Sequence, residues 1–221
     1  MIGFKIGTIE RRVDQRMVEH FKALPVANVS DCMSRMSGFG PRIRPMHRKG
    51  VLAGSAVTVR TRPGDNLMIH KALDIALPGD VLVVDAGGDV TNSLMGELML
   101  SHAIQRGLAG VVLDGAIRDL AWIREHDFPV FAAGVTHRGP YKDGPGEINV
   151  PISIDGTVVH PGDLVIGDDD GALAIAFDEV ETVYAAALKK HEAETRQLVA
   201  IEKGENNRAW VNEALRTHGV L

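Results

Sequence analysis

One cysteine, Cys32, stands in 221 residues, so the chain can form neither an intrachain disulfide nor a thiolate-caged metal centre, and a reducing compartment is the expected setting. Cys32 sits among Val29, Met33 and Met36 at helix-like spacing, the pattern of a packing residue and not of a nucleophile. Excess positive charge is missing too. Twenty-four basic side chains against 29 acidic ones give a net charge of -5, which argues against a nucleic-acid binder held by phosphate contacts. The one basic run, Arg42, Arg44, His47, Arg48 and Lys49, reads as a solvated loop. No apolar run approaches the ~20 residues of a membrane helix, and no basic-then-apolar leader opens the chain. The expectation is a cytoplasmic protein with neither membrane nor nucleic acid as partner. Histidines are present, nine of them, but none falls in a His-x-x-x-His or His-Glu-x-x-His pattern, so a zinc hydrolase lacks its ligand spacing.

What is there is ordinary globular composition, 45% hydrophobic and 24% charged, at a length that suits one substantial domain. Val13 to Leu24 and Asn28 to Met36 read as short helices, stopped by Pro25 and Gly38, and 37–50 as loop. A strand follows at 56–60, then a helix from Asn66 to Ala76 and the apolar run Val81-Leu82-Val83-Val84-Asp85, the signature of a strand covered on both faces. Ser93 to Arg106 reads as a helix, Gly110 to Asp114 as a second buried strand, Leu120 to His126 as a helix and Pro129 to Ala132 as a third buried strand. That alternation predicts a layered α/β domain. Further on, 152–159 reads as a hairpin through Asp155-Gly156, and 164–166 and 172–176 as strands. A long charged helix from Asp178 to about Ile201 and a helical segment 208–221 close the chain. Pro-Gly-Asp stands before apolar strands at 78–80 and 161–163, an echo too short to establish a repeat.

Open α/β sheets hold ligands at the carboxyl ends of their strands, and two exits carry the chemistry. One leads to Gly96-Glu97-Leu98-Met99. The other leads through Asp114-Gly115-Ala116-Ile117 to Arg118-Asp119. A helical turn opening at Gly96 offers the amides of Leu98 and Met99 to a small anion. Arg118 has a planar fork for a carboxylate or for the paired oxygens of a 2-oxo acid. Asp119 is a hard oxygen ligand for Mg²⁺ or Mn²⁺, and Glu97 can hold a water of such a cation. The plainer alternative is a helix-start ion pair, with Asp119 capping the helix at Leu120.

Gly96-Glu97-Leu98-Met99, Asp114 to Asp119 and Phe128-Pro129-Val130-Phe131-Ala132 together resemble the RraA-like family, over roughly Val26 to Ala176. That family includes the 4-hydroxy-4-methyl-2-oxoglutarate/4-carboxy-4-hydroxy-2-oxoadipate aldolases. Its aldolase members carry an acid, twenty intervening residues and then Arg-Asp, the spacing of Glu97 and Arg118-Asp119 here. The resemblance implies an αββα sandwich of the swivelling phosphohistidine-domain-like kind over residues 1–177. It implies a helical extension, 178–221, at a subunit interface of a homotrimer or homohexamer.

It further implies that Gly96, Glu97, Leu98, Met99 and Arg118 bind the pyruvyl group, that Arg118 and Glu97 are catalytic, and that Asp119 ligates Mg²⁺ (or Mn²⁺). A neighbouring subunit's acid completes such sites, and Glu192, Glu194 and Glu202 are the candidates. Glu97 stands where the best-known pattern has Asp, and Trp122 where many members have an acid. The implied activity is metal-dependent cleavage of 4-hydroxy-2-oxo acids to pyruvate, with oxaloacetate decarboxylation. Developing enolate charge would lie between the cation and Arg118, so no Schiff-base lysine is required. The rival is a non-catalytic regulator of ribonuclease activity, the role of the family's namesake. The long tail and the intact Asp119 favour the enzyme. A methyltransferase would need a glycine-rich cofactor turn that Gly87-Gly88-Asp89 does not supply.

Overall fold

Residues 2–221 are described by a computed structural model. Its elements, in chain order, are β1 (Phe4–Ile6), α1 (Gln15–Lys22), α2 (Val26–Cys32), β2 (Arg44–Pro45), β3 (Leu52–Thr61), α3 (Leu67–Ile75), β4 (Val81–Asp85), β5 (Ser93–Met95) and α4 (Glu97–Gln105). They continue with β6 (Gly110–Ile117), α5 (Leu120–Glu125), β7 (Val130–Val135), β8 (Gly146–Ile148), β9 (Ile152–Ile154), β10 (Thr157–Val159), β11 (Leu164–Asp168), β12 (Gly171–Ile175), α6 (Val180–Glu202) and α7 (Ala209–Thr217).

The main sheet runs β1-β8-β3-β4-β6-β7-β2. Its centre, β3-β4-β6-β7, is parallel, and β8 and β2 pair antiparallel to β3 and β7. Strand β3 belongs to two sheets. Its first half, Leu52–Ser55, pairs with β11, and its second half, Ala56–Arg60, pairs with β4. The chain is small at the changeover because a β-carbon on Gly54 would run into the Gly79 carbonyl and sit 3.0 Å from Val81 Cγ2.

Alternation along the buried strands accounts for the layers. Leu82, Val84, Val111 and Leu113 face one core, shared with α3, α4 and α5. Val81, Val83, Val112 and Phe131 face a second core, shared with β9–β12. The outer faces of β11 and β12 meet α1, α2 and α6 in a third core. Helices, sheet, sheet and helices make the αββα sandwich, and a continuous apolar run is what a strand buried on both faces requires. The first turns of α6 belong to this body, since Val180, Val183 and Ala187 are buried in the third core. Packing therefore runs across residue 178.

Several local expectations are corrected. Ser93 to Met95 is a strand beside β6, and the helix starts only at Glu97. The Ser93 amide and hydroxyl both donate to the Arg138 carbonyl, at 2.8 and 2.9 Å, a long-range tie that overrides the helical pattern. Strands β3 and β7 extend past their predicted ends, and β1, β2 and β8 were not expected. The basic run is exposed at Arg42, Arg44, Arg48 and Lys49, as a solvated segment should be, but His47 is buried and two of the arginines are tied down. Arg42 pairs with Asp114 at 2.8 Å, Arg44 donates to the Asp170 carbonyl, and His47 is buried between the carbonyls of Val130 and Gly50. Among the described residues no helix is long and apolar enough to cross a membrane.

The Pro-Gly-Asp echo is a turn used three times. Gly64, Gly79 and Gly162 all have positive φ, +77°, +87° and +89°, which glycine adopts without cost. Asp80 and Asp163 each accept the amide of the residue three before, Leu77 at 2.9 Å and His160 at 2.8 Å. Asp65 is turned to another task. It accepts the amides of Asp143 and Gly144 at 2.7 and 2.9 Å, pinning the 140–144 segment beside α3.

Candidate active site

The two strand exits singled out in the sequence meet. The Arg118 amide donates to the Met95 carbonyl at 3.0 Å, so the end of β6 lies against the end of β5. Between them Gly96 is extended, and a β-carbon there would lie 2.8 Å from Arg118 Cγ and overlap the Asp119 carboxylate. Only glycine lets the α4 start approach this closely.

Asp119 occupies the left-handed region, φ 60° and ψ 40°, directly before α5. That conformation is strained for a non-glycine residue, and such strain concentrates at functional sites. The carboxylate does not cap its own helix. Its Oδ2 accepts the Glu97 amide at 2.9 Å and stands 3.7 Å from Arg118 Nε. Asp119 therefore caps the neighbouring helix α4, and the helix-cap alternative is replaced by a contact across 22 residues of sequence.

With the Glu97 amide taken, the next two amides of α4, those of Leu98 and Met99, have no acceptor among the described residues. They line a cavity of about 100 Å³ with Gly96, Arg118, Asn66, His70 and Lys142. The first-turn amides and the helix dipole favour an anion there. Arg118 and Lys142 add full positive charges. Burial, then Lys142, lowers the His70 pKa, which favours its neutral imidazole.

A second cavity of about 310 Å³ is lined by Arg118 and Asp119 together with Val135, Thr136 and His137.

The expected residues are thus mostly brought together, with two qualifications of geometry. Leu98 contributes its backbone while its side chain is 83% exposed, as an amide-only role allows. The Glu97 side chain lines neither cavity, and only its amide is engaged. Of the tail acids, Glu194 is occupied within its own chain by Asn28 at 2.8 Å and Lys190 at 2.9 Å, and Lys190 above all lowers its pKa. Trp122 stacks on His126 with ring centroids 3.8 Å apart and leans on the first core. Sequence reasoning missed Asn66, His70, Lys142, Thr136 and His137 as cavity walls. The only advance signal was that Asn66 follows a Pro-Gly-Asp turn.

The donor set bears on a divalent cation. Among the described residues there is no cluster of three acid, histidine or cysteine side chains able to hold one. Asp119 stands 38% exposed beside a cavity, with Oδ1 outside any hydrogen bond in the described chain. One free carboxylate oxygen fits a hard cation that keeps most of its water, as Mg²⁺ does, and does not fit an all-protein cage.

A layered α/β fold with an anion-accepting helix start and an Arg-Asp pair at a strand exit is the class these features define. The family model described as RraA-like, Aldolase/RraA, matches residues 26–174, and the chain belongs to this family. A Halalkalibacterium halodurans protein named provisionally as a 4-hydroxy-4-methyl-2-oxoglutarate aldolase is 40% identical over 173 residues, 78% of this chain and 82% of that one. The 4-hydroxy-4-methyl-2-oxoglutarate aldolase of Thermus thermophilus is 36% identical over 137 residues, 62% of this chain and 79% of that one. Among solved structures, the RNA-processing inhibitor RraA of Thermus thermophilus superposes with a TM-score of 0.63 at 31% identity, covering 68% of this chain and 92% of that one.

Proposed function

We propose that this chain is a divalent-metal-dependent aldolase that cleaves 4-hydroxy-2-oxo acids, of the 4-hydroxy-4-methyl-2-oxoglutarate type, to pyruvate, and that it also decarboxylates oxaloacetate. The observation that carries the reading is that two free helix amides and the Arg118 guanidinium meet on one small cavity, while the Asp119 carboxylate lines a second cavity that shares Arg118 with it. The names of the relatives support the aldol class.

In this reading the amides of Leu98 and Met99 hold the substrate carboxylate. Arg118 places its planar fork on the 2-oxo group and is complementary to the enolate oxygen that forms as the C3–C4 bond breaks. Asp119 holds Mg²⁺ or Mn²⁺, which when bound supplies Lewis-acid stabilisation of the same charge. Glu97, exposed beside the α4 start, holds the water that takes the proton of the 4-hydroxyl. We assign a homotrimer or homohexamer, with the 178–221 extension at the interface. Leu198, Ile201 and Trp210, all well exposed on α6 and α7, support that assignment. Glu192 and Glu202 are then the tail acids open to a neighbouring site.

The likeness to an RNA-processing inhibitor supports a second reading, a non-catalytic regulator of ribonuclease activity. The experiment measures pyruvate release from oxaloacetate and from 4-hydroxy-4-methyl-2-oxoglutarate, with Mg²⁺ and with EDTA, for wild type and Asp119→Ala. Turnover abolished by EDTA and by the substitution is expected. Absence of turnover on both substrates with metal present sinks the enzyme and leaves the regulator.

A further inference from the structure

Arg118 lines two cavities. One also takes Leu98 and Met99, whose amides are free, and the other takes Val135, Thr136 and His137. Asp119 opens only on the second. The first, at about 100 Å³, is well below the ~300 Å³ of the smallest usual ligand pockets and has room for a three-carbon acid. Asn66, buried, and Pro140, held by the loop that Asp65 pins, close its back.

A substrate whose carboxylate lies on the α4 amides and whose 2-oxo group lies on Arg118 has little further room in the first cavity. The second cavity, which shares Arg118 and carries Asp119, offers space for its C4 end. The walls there are mixed in character. Val135 offers an apolar surface, 47% exposed, while Thr136 and His137 offer a hydroxyl and an imidazole. The wall is fixed and not a mobile loop tip: β7 pairs with β6 through Val135, and the Thr136 amide donates to the Ile117 carbonyl at 3.0 Å.

Resting on the aldolase reading, we propose that the Val135-Thr136-His137 cavity is the subsite for the departing half of the substrate. His137 and Thr136 are its specificity-determining contacts to a carboxylate carried on the C4 substituent, and Val135 receives a short alkyl branch. Breaking the C3–C4 bond leaves its electron pair on the pyruvate enolate. The 4-hydroxyl proton goes to water as C4 becomes the new carbonyl, and a proton from solvent then completes pyruvate.

The test uses the metal-loaded full chain and compares wild type, His137→Ala and Thr136→Val on three readouts. For 4-hydroxy-4-methyl-2-oxoglutarate, kcat/KM should fall by about ten-fold or more in His137→Ala and less in Thr136→Val, with most of the loss in KM. Oxaloacetate, which has no branch beyond its C4 carboxylate, should change by less than about two-fold. Solvent exchange of the pyruvate methyl protons, which involves no C4 substituent, should not change. Equal losses on both carbon-carbon substrates, or loss of proton exchange, would place these residues in the shared machinery and overturn the subsite. Unchanged kinetics on the branched substrate would overturn it as well. If the wild type turns over neither substrate, the failure lies in the aldolase reading itself, and the subsite falls with it.

Discussion

Helix α6 passes through two environments on one continuous backbone. Its first turns bury Val180, Val183 and Ala187 against α1, α2 and the β11-β12 pair. Farther along, Leu198, Val199 and Ile201 stand exposed, and Trp210 of α7 is 63% exposed. Within the domain, apolar side chains find partners on both faces of every central strand; beyond Leu188 many of the tail's stay exposed. The difference teaches that the central sheet's apolar faces are covered within this chain, whereas the tail leaves apolar surface uncovered. It also separates two kinds of residue, those whose loss unfolds the body and those whose loss alters only what the body joins.

The sharpest way to break that comparison is a deletion in the second core. Phe131 is fully buried, its ring edge against His47 and its Cζ 2.7 Å from where a Gly167 β-carbon would fall. Phe131→Ala should cost about 3–5 kcal/mol in urea unfolding, the transfer loss plus an unfilled cavity. A loss under about 1 kcal/mol would mean that the core collapses around the gap, which the close packing of Gly167 argues against. Next in size is Asp80, 2% exposed, which accepts Arg12 Nε at 2.9 Å and caps the turn through the Leu77 amide. Asp80→Ala strands both donors and should cost about 2–3 kcal/mol. If unfolding is unchanged, the Pro-Gly-Asp turn is held by its glycine alone.

How much of this was legible beforehand follows the same division. The runs 81–85, 110–113 and 129–132 announced strands buried on both faces because local composition and final environment agree there. Strands β1, β2 and β8 were not legible. Each has two or three residues, too few for a period, and β1 is exposed throughout. Ser93 to Met95 read as helix because only the distant Arg138 carbonyl tells it otherwise. At the site, Gly96 to Met99 and Arg118-Asp119 were legible as strand exits. The capping of α4 by Asp119 was not, because it depends on a left-handed backbone that no spacing reveals. Lys142 and His137 were invisible for a simpler reason: loops bring them in from other parts of the chain.

A smaller effect belongs to the strand ends. Asp114 is buried, and desolvation raises its carboxyl pKa against the opposing pull of Arg42. An acid with a raised folded-state pKa binds its proton more tightly folded than unfolded. Stability therefore falls as pH rises from the ordinary aspartate value of about 4 through the raised value, and is flat above it. Asp114→Asn removes that slope. Urea midpoints measured across acid to neutral pH should show the variant gaining on wild type over this window. Parallel curves would mean that Arg42 already compensates the burial in full.

The smallest effect on stability is expected where the change in assembly should be largest. Leu198 and Ile201 are exposed and belong to none of the buried cores. Replacing both with serine should move the urea midpoint by an amount equivalent to no more than about 0.5 kcal/mol for the isolated domain. If the tail joins copies of the chain, the same double substitution should lower the mass seen by light scattering toward that of one chain. The reason is that a polar hydroxyl buried at an interface costs desolvation, where the leucine contributed burial. An unchanged mass with unchanged stability would show that these side chains serve neither the body nor an assembly. The tail's exposed apolar face would then need a partner of another kind.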